Sequence, residues 1–136
     1  MTDVVGLPPG VRVALSRARV RAGASAEADR WMTMLRERHE ECLDTLERER
    51  MAVEAVFRTR EPDGTEHLWW FTLQGEDGAG PDASPHPVDR DHVAHARRTT
   101  EPGRLVAEPQ VVLLPAPVAR AVRAWATGGD DGPSGS

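Results

Sequence analysis

At 136 residues and a net charge of −5, the chain is sized for one domain around a single modest core. All 17 basic side chains are arginine, and Lys and Tyr are absent, which excludes Schiff-base lysine chemistry, a P-loop lysine and a tyrosine acid. Acids and arginines interleave without the basic stripe that nucleic acid needs, and no apolar run approaches the ~18 residues of a membrane helix.

Residues 11–23, VRVALSRARVRAG, read as a first strand stopped by Gly23, with small even positions (Ala14, Ser16, Ala18) and longer odd ones (Val13, Leu15, Arg17, Arg19). Ser25 is placed to cap a helix, with Glu27 and Asp29 at the positive end of its dipole. Along that helix Ala28, Met32, Leu35, His39, Cys42 and Leu46 alternate spacings of four and three, so they share one face. The RERHEE and ERER runs form its solvated side.

Residues 51–75 spell a hairpin around Pro62-Asp63-Gly64, with Gly64 supplying a left-handed residue. Pairing Glu61 with Thr65 sets Phe57 beside Trp69, Ala55 beside Phe71 and Val53 beside Leu73, an apolar face expected under the helices. Arg58, Val56 and Glu54 then meet Leu68, Trp70 and Thr72 on the other face. A shift by one residue mixes the two sets.

A Gly/Pro/acid loop follows over 75–87. A second helix is predicted over 89–98, with Asp89 as N-cap and Val88 and Val93 as its apolar staple. EPQVVLLP, 108–115, reads as a last strand buried on both faces. Pro117 opens a short amphipathic helix with Val118, Val122 and Trp125 on one side. The division expected is a flexible 1–10, a domain over 11–115, a C-terminal helix over 116–127 and a disordered tail over 128–136.

Strand, helix, strand, strand, helix, strand is the ferredoxin-like βαββαβ unit, an α+β fold whose four-stranded sheet carries both helices on one face. A second face bearing Leu68, Trp70 and Val56 would be a sizeable apolar patch, and packing it on another copy gives a homodimeric α+β barrel. Ile and Asn are missing with Lys and Tyr, as expected of a GC-rich bacterial genome. One cysteine, Cys42, and an opening MTDVVGLPPG without signal-peptide character point to the cytoplasm.

LSRARV, DRWMTML, TLERERMAVEAVF, LWWFTLQGEDG and HPVDRDH together resemble a family of small bacterial proteins, the domain-of-unknown-function family 6176, over roughly residues 13–115. That resemblance implies a ferredoxin-like fold near the dimeric α+β barrels. Those barrels include antibiotic-biosynthesis monooxygenases, sugar mutarotases and stress-responsive proteins, a breadth that blocks transfer of function by fold.

His86, Asp89, His92 and His95 fall at every third position. A metal set, a loop-borne acid/base group and an exposed helix start all fit the spacing. The zincin signature is absent and Asp89 has a capping role, so the exposed helix start is the reading carried forward, with no metal and no cofactor expected. His39 in the apolar stripe reads as a hydrogen-bonded core residue or as a base in a pocket, and Cys42 as an inert buried thiol. The sheet offers a stronger candidate site: Arg17 and Glu54 flanking Trp70 and Thr72, with His39 or His86 to carry protons, suit a small ligand with a carboxylate, carbonyl or hydroxyl. The alternative is an Arg17–Glu54 ion pair inside a structural dimer interface.

Overall fold

The computed structural model describes residues 4–79 and 84–128. Residues 80–83 of the Gly/Pro loop, the first three residues and all but the first residue of the proposed tail lie outside that description. In chain order the elements are β1 (Val11–Arg19), α1 (Ser25–Glu37), α2 (His39–Glu49), β2 (Met51–Arg60), β3 (Glu66–Gly75), α3 (Pro87–Thr99), β4 (Leu105–Val106) and α4 (Ala116–Ala126). The fold is α+β: four antiparallel strands form an open sheet in the order β2-β3-β1-β4.

The hairpin has the expected register throughout. Glu54 lies opposite Thr72, Val56 opposite Trp70 and Phe57 opposite Trp69, with one irregularity between Met51 and Val53. Its turn closes as expected: the Glu61 N–H donates to the Thr65 carbonyl at 2.8 Å, and Gly64 takes φ +89°, a value that only glycine reaches without strain.

The face under α1 and α3 is the opposite of the one expected. Leu68 and Trp70 are buried beneath Ala28, Trp31 and Met32, together with Val20 and Ala24. Phe57 and Val53, expected under the helices, are 56% and 39% exposed. The reason lies in β1 and β3 together. Ala14, Ser16 and Ala18 pair with Thr72, Trp70 and Leu68, so the small side chains share the face of Trp70. That hollow admits Trp31, whose ring centroid lies 5.1 Å from that of Trp70. Alternation identifies the two faces, but the choice between them depends on where the small residues leave room.

Helices therefore lie on both sides. Val122 and Ala126 of α4 pack on Val11 and Leu73, on the face of Phe57 and Trp69. The Trp125 indole N–H donates to the Met51 carbonyl at 2.9 Å. Gly75 makes this approach feasible, because a Cβ there would meet the Ala126 carbonyl oxygen at 1.9 Å.

Two further expectations are corrected. The long first helix is broken at Arg38 (φ −103°, ψ 33°) into α1 and α2. The Arg38 side chain bonds Glu41 and, at 2.5 Å, Asp91 of α3. The break turns the stripe, so α2 buries Thr45 and Glu49 while His39 is exposed. The last strand is Leu105–Val106 and not 108–115, and both of its residues are exposed. Pro109 and Pro115 bracket the expected strand and remove ladder donors. What remains there is a single bridge from Val111 to Val5, with Leu113 85% exposed.

Candidate acid–base pocket

Because the helix breaks at Arg38, α2 does not continue over the sheet along the line of α1. A cavity of about 340 Å³ opens between α1, α2, α3 and the helix-covered face of β2 and β3. Its polar lining includes Cys42, Thr45 and Glu49 from α2, Glu54 from β2, and Asp89 and His92 from α3. Met32, Leu35, Val56 and Trp70 supply apolar wall. Alternation aims Glu54 to the same side as Val56 and Trp70, and the Trp70 indole N–H donates to Glu54 Oε2 at 3.1 Å.

Helical spacing on α2 and α3 brings in the other groups. Thr45 and Glu49 are one turn apart, and the Thr45 hydroxyl is shared between Glu49 Oε1 at 3.3 Å and the Cys42 carbonyl at 2.8 Å. On α3, Val88 and His92 are likewise one turn apart, with Asp89 beside them. Trp31 donates its indole N–H to His92 Nδ1 at 3.0 Å. An accepting Nδ1 is unprotonated, so the neutral ring carries its proton on Nε2. The rings of Trp31 and Trp70 lie 5.2 and 5.5 Å from that of His92.

Crowding of acids shapes the electrostatics. Burial, then the charges of Glu54 and Asp89, push the Glu49 carboxyl up to about 7. Glu54 is accessible to solvent, yet desolvation by the surrounding protein raises its carboxyl too. The Trp70 hydrogen bond opposes that rise, and the Asp89 charge adds to it. His92 moves the other way, down to about 4, chiefly because burial disfavours the imidazolium, with the nearby Arg104 charge adding to the effect. The Cys42 thiol is raised by burial and by the same acids, which makes it a poor nucleophile. Asp89 is 7% exposed, and its buried Oδ2 has no hydrogen-bond partner among the described residues.

Of the residues expected in a site, Glu54 and Trp70 line this pocket, and the exposed His39 is at its edge. Thr72 pairs with Glu54 but is not part of the lining. Arg17 does not converge with Glu54. The β1–β3 register sets Ser16, not Arg17, opposite Trp70, so Arg17 lies on the other face with its guanidinium 5.5 Å over the Trp69 ring. An Arg17–Glu54 ion pair is excluded by the same geometry. His86 occupies the N-cap position of α3, which Pro87 opens; Asp89 is in the first turn, not at the cap.

Glu49 was not expected in a site, whereas Asp89 and His92 were weighed as metal or acid/base groups and set aside for an exposed helix start. Val88, His92 and Ala96 follow helical spacing along one face, and that spacing was the available signal for His92. Instead of an exposed helix start, this face of α3 is its packed side. Among the described residues, no three His, Cys, Asp or Glu side chains are grouped so that they could hold a metal ion.

The match to a family model extends over residues 11–120, from the first residue of β1 into α4. The chain belongs to the family of unknown function DUF6176. No curated protein matches it. Every residue lining the acid pocket of this DUF6176 chain falls within the matched span. Among the described residues, no helix is long and apolar enough to cross a membrane.

Proposed function

We propose that this DUF6176 chain binds a small polar organic molecule in the acid pocket and moves a proton on it. The observation that carries the reading is the convergence of Glu49, Glu54 and Asp89, with one carboxylate oxygen unpartnered among the described residues, on a cavity beside a neutral histidine. Crowded carboxylates destabilise one another, and a well-packed core has no need of them. A ligand with a cationic or hydrogen-bond-donating group relieves that repulsion. Glu54, accessible to solvent and with its carboxyl raised by desolvation, is the base. His92 donates from Nε2 to the oxygen or nitrogen on which charge develops, and Asp89 holds the ligand's donor. Arg17, Thr72 and His86 have no part in this reading, and His39 serves at most at the rim.

The test is a thermal-shift screen with small amines, amino alcohols and hydroxy acids, followed by solvent-deuterium incorporation into any molecule that binds. Glu54→Gln is expected to abolish deuterium incorporation while leaving binding within a few-fold. Asp89→Asn is expected to weaken binding about tenfold, the loss of one charge-assisted hydrogen bond. Unchanged exchange in Glu54→Gln removes the base assignment, and unchanged binding in Asp89→Asn removes the site.

A second reading, a homodimeric interaction protein, is favoured by a different observation: the part of the opposite sheet face beyond α4 leaves Phe57, Val53 and Leu105 exposed. In this reading the strand order is that of a ferredoxin-like unit, and the open face closes on a second copy as in the dimeric α+β barrels. Its setting is the reducing bacterial cytoplasm suggested by a single cysteine and arginine-only basicity. Phe57→Glu is the discriminating variant, since it faces the open side, whereas Trp70→Glu would strike the core. Light scattering at micromolar concentration is expected to give a dimer for the parent and a monomer for Phe57→Glu. A monomeric parent removes this reading and leaves the pocket untouched.

A further inference from the structure

A second cavity, of about 580 Å³, lies on the other side of His92, between α3 and the end of β1. Trp31 and His92 line it, and so do three arginines: Arg21 just beyond β1, Arg97 on α3 and Arg104 just before β4. The segment that carries Arg104 is held in place. The Glu101 N–H donates to the Arg19 carbonyl at 2.8 Å, Val20 and Thr100 form a bridge, and Gly103 turns the chain at φ +89°. The Arg104 guanidinium then rests 5.4 Å over the Trp70 ring.

Among the described residues, none of these three arginines has a carboxylate partner, and all three line one cavity. Arg19, Arg30, Arg38, Arg58 and Arg60 are all bridged. Glu101 also lines the cavity but is engaged by Arg19 at 3.6 Å. Three unpaired guanidinium groups around one concavity, in a chain of net charge −5, form a local reversal of sign. Their planar donor forks match the two oxygens of a carboxylate or the face of a phosphate.

We propose that the cavity lined by Arg21, Arg97 and Arg104 is a binding site for a small molecule bearing an oxyanion, carboxylate or phosphate. The site is separate from the acid pocket and does not depend on its reading. His92 and its neighbours Trp31 and Trp70 form the wall between the two, so an anion here sits beside residues whose resonances report its arrival.

The experiment follows the indole N–H signals of Trp31 and Trp70 by NMR on the full chain at constant ionic strength. Chloride is replaced in one arm by inorganic phosphate and in the other by benzoate. Saturable shifts in either arm are expected, and the arm that saturates at lower concentration identifies the oxyanion preferred. Arg97→Gln with Arg104→Gln is expected to raise the apparent Kd about tenfold or more, as loss of charge-assisted bonds does. Arg21→Gln, at an exposed position just beyond β1, is expected to raise it several-fold on its own. Arg120→Gln, on exposed α4 and outside both cavities, should leave it unchanged. Shifts that grow linearly in both arms, or an affinity in both arginine variants equal to the parent's, would overturn the proposal.

Discussion

The two faces of the β2–β3 hairpin are nearly equal in apolar character and opposite in fate. One carries Leu68, Trp70 and Val56, and it is closed by α1 and α3 until Leu68 is inaccessible. The other carries Phe57, Trp69 and Phe71. It is closed by α4 only at the Val11 and Leu73 end, so Phe57 stays 56% exposed. The difference is set by the partner strand. β1 turns Ala14, Ser16 and Ala18 to the first side and Val13, Leu15 and Arg17 to the second. A helix bearing a tryptophan fits over the small residues, whereas the longer ones fill their own face and leave no groove for it.

The sharpest way to break this contrast is truncation on each side. Leu68→Ala empties a fully enclosed position and is expected to cost about 2–5 kcal/mol. Phe57→Ala, mostly in water, is expected to cost below about 1 kcal/mol at protein concentrations where any self-association is negligible. Urea denaturation of both variants checks it. Equal losses would mean that the open face is covered.

Much of the hairpin was legible, because a three-residue loop ending in Gly64 admits one register and the side-chain period of two propagates it from Glu61–Thr65 to Val53–Leu73. The covered face was not legible, because it depends on non-local pairing between β1 and β3. The same lack displaced Arg17: parity within β1 is visible, but parity relative to Trp70 is fixed only when Ser16 is seen opposite it. The break at Arg38 hid most of the site. Periodicity carried the stripe of α1 straight on to His39, whereas the turn exposes His39 and brings Glu49 inward. Asp89 and His92 were seen as candidates but set aside for a competing local reading, since an acid near a helix start is usually a cap.

The closed face also holds titrating groups that pull its stability in opposite directions with pH. His92 has its pKa lowered from 6.5 to about 4. Its contribution is therefore fully present above 6.5 and is lost as pH falls toward 4, roughly 2–3 kcal/mol after allowance for partial solvent screening. Glu49 has its pKa raised from 4.5 to about 7, so the folded state holds the extra proton and stability falls as pH rises between those values. Across the shared window from 4.5 to 6.5 the two slopes oppose. The parent is expected to show a nearly flat stability there. Glu49→Gln should uncover a rise with pH, and His92→Asn a fall. Denaturation midpoints at half-unit steps of pH measure all three, and parallel profiles would show that the two groups do not titrate as placed.

The smallest effect separates the adjacent tryptophans, which differ in face and in partner. Trp69, on the open side, donates to Thr59 Oγ1 at 2.7 Å and lies under Arg17. Trp69→Phe keeps an aromatic ring for the guanidinium and gives up one exposed hydrogen bond, so a loss of about 0.5–1 kcal/mol is expected, with no change in the acid pocket. Trp70→Phe removes the donor to Glu54, the one contact that holds that carboxyl down against desolvation and the Asp89 charge. The Glu54 pKa is then expected to rise further, visible as a displaced titration of its side-chain carboxyl carbon in NMR. A Glu54 titration that moves in Trp69→Phe and stays in Trp70→Phe would reverse the assignment of the two faces. Movement in neither would leave the Trp70 bond without electrostatic consequence for the proposed base.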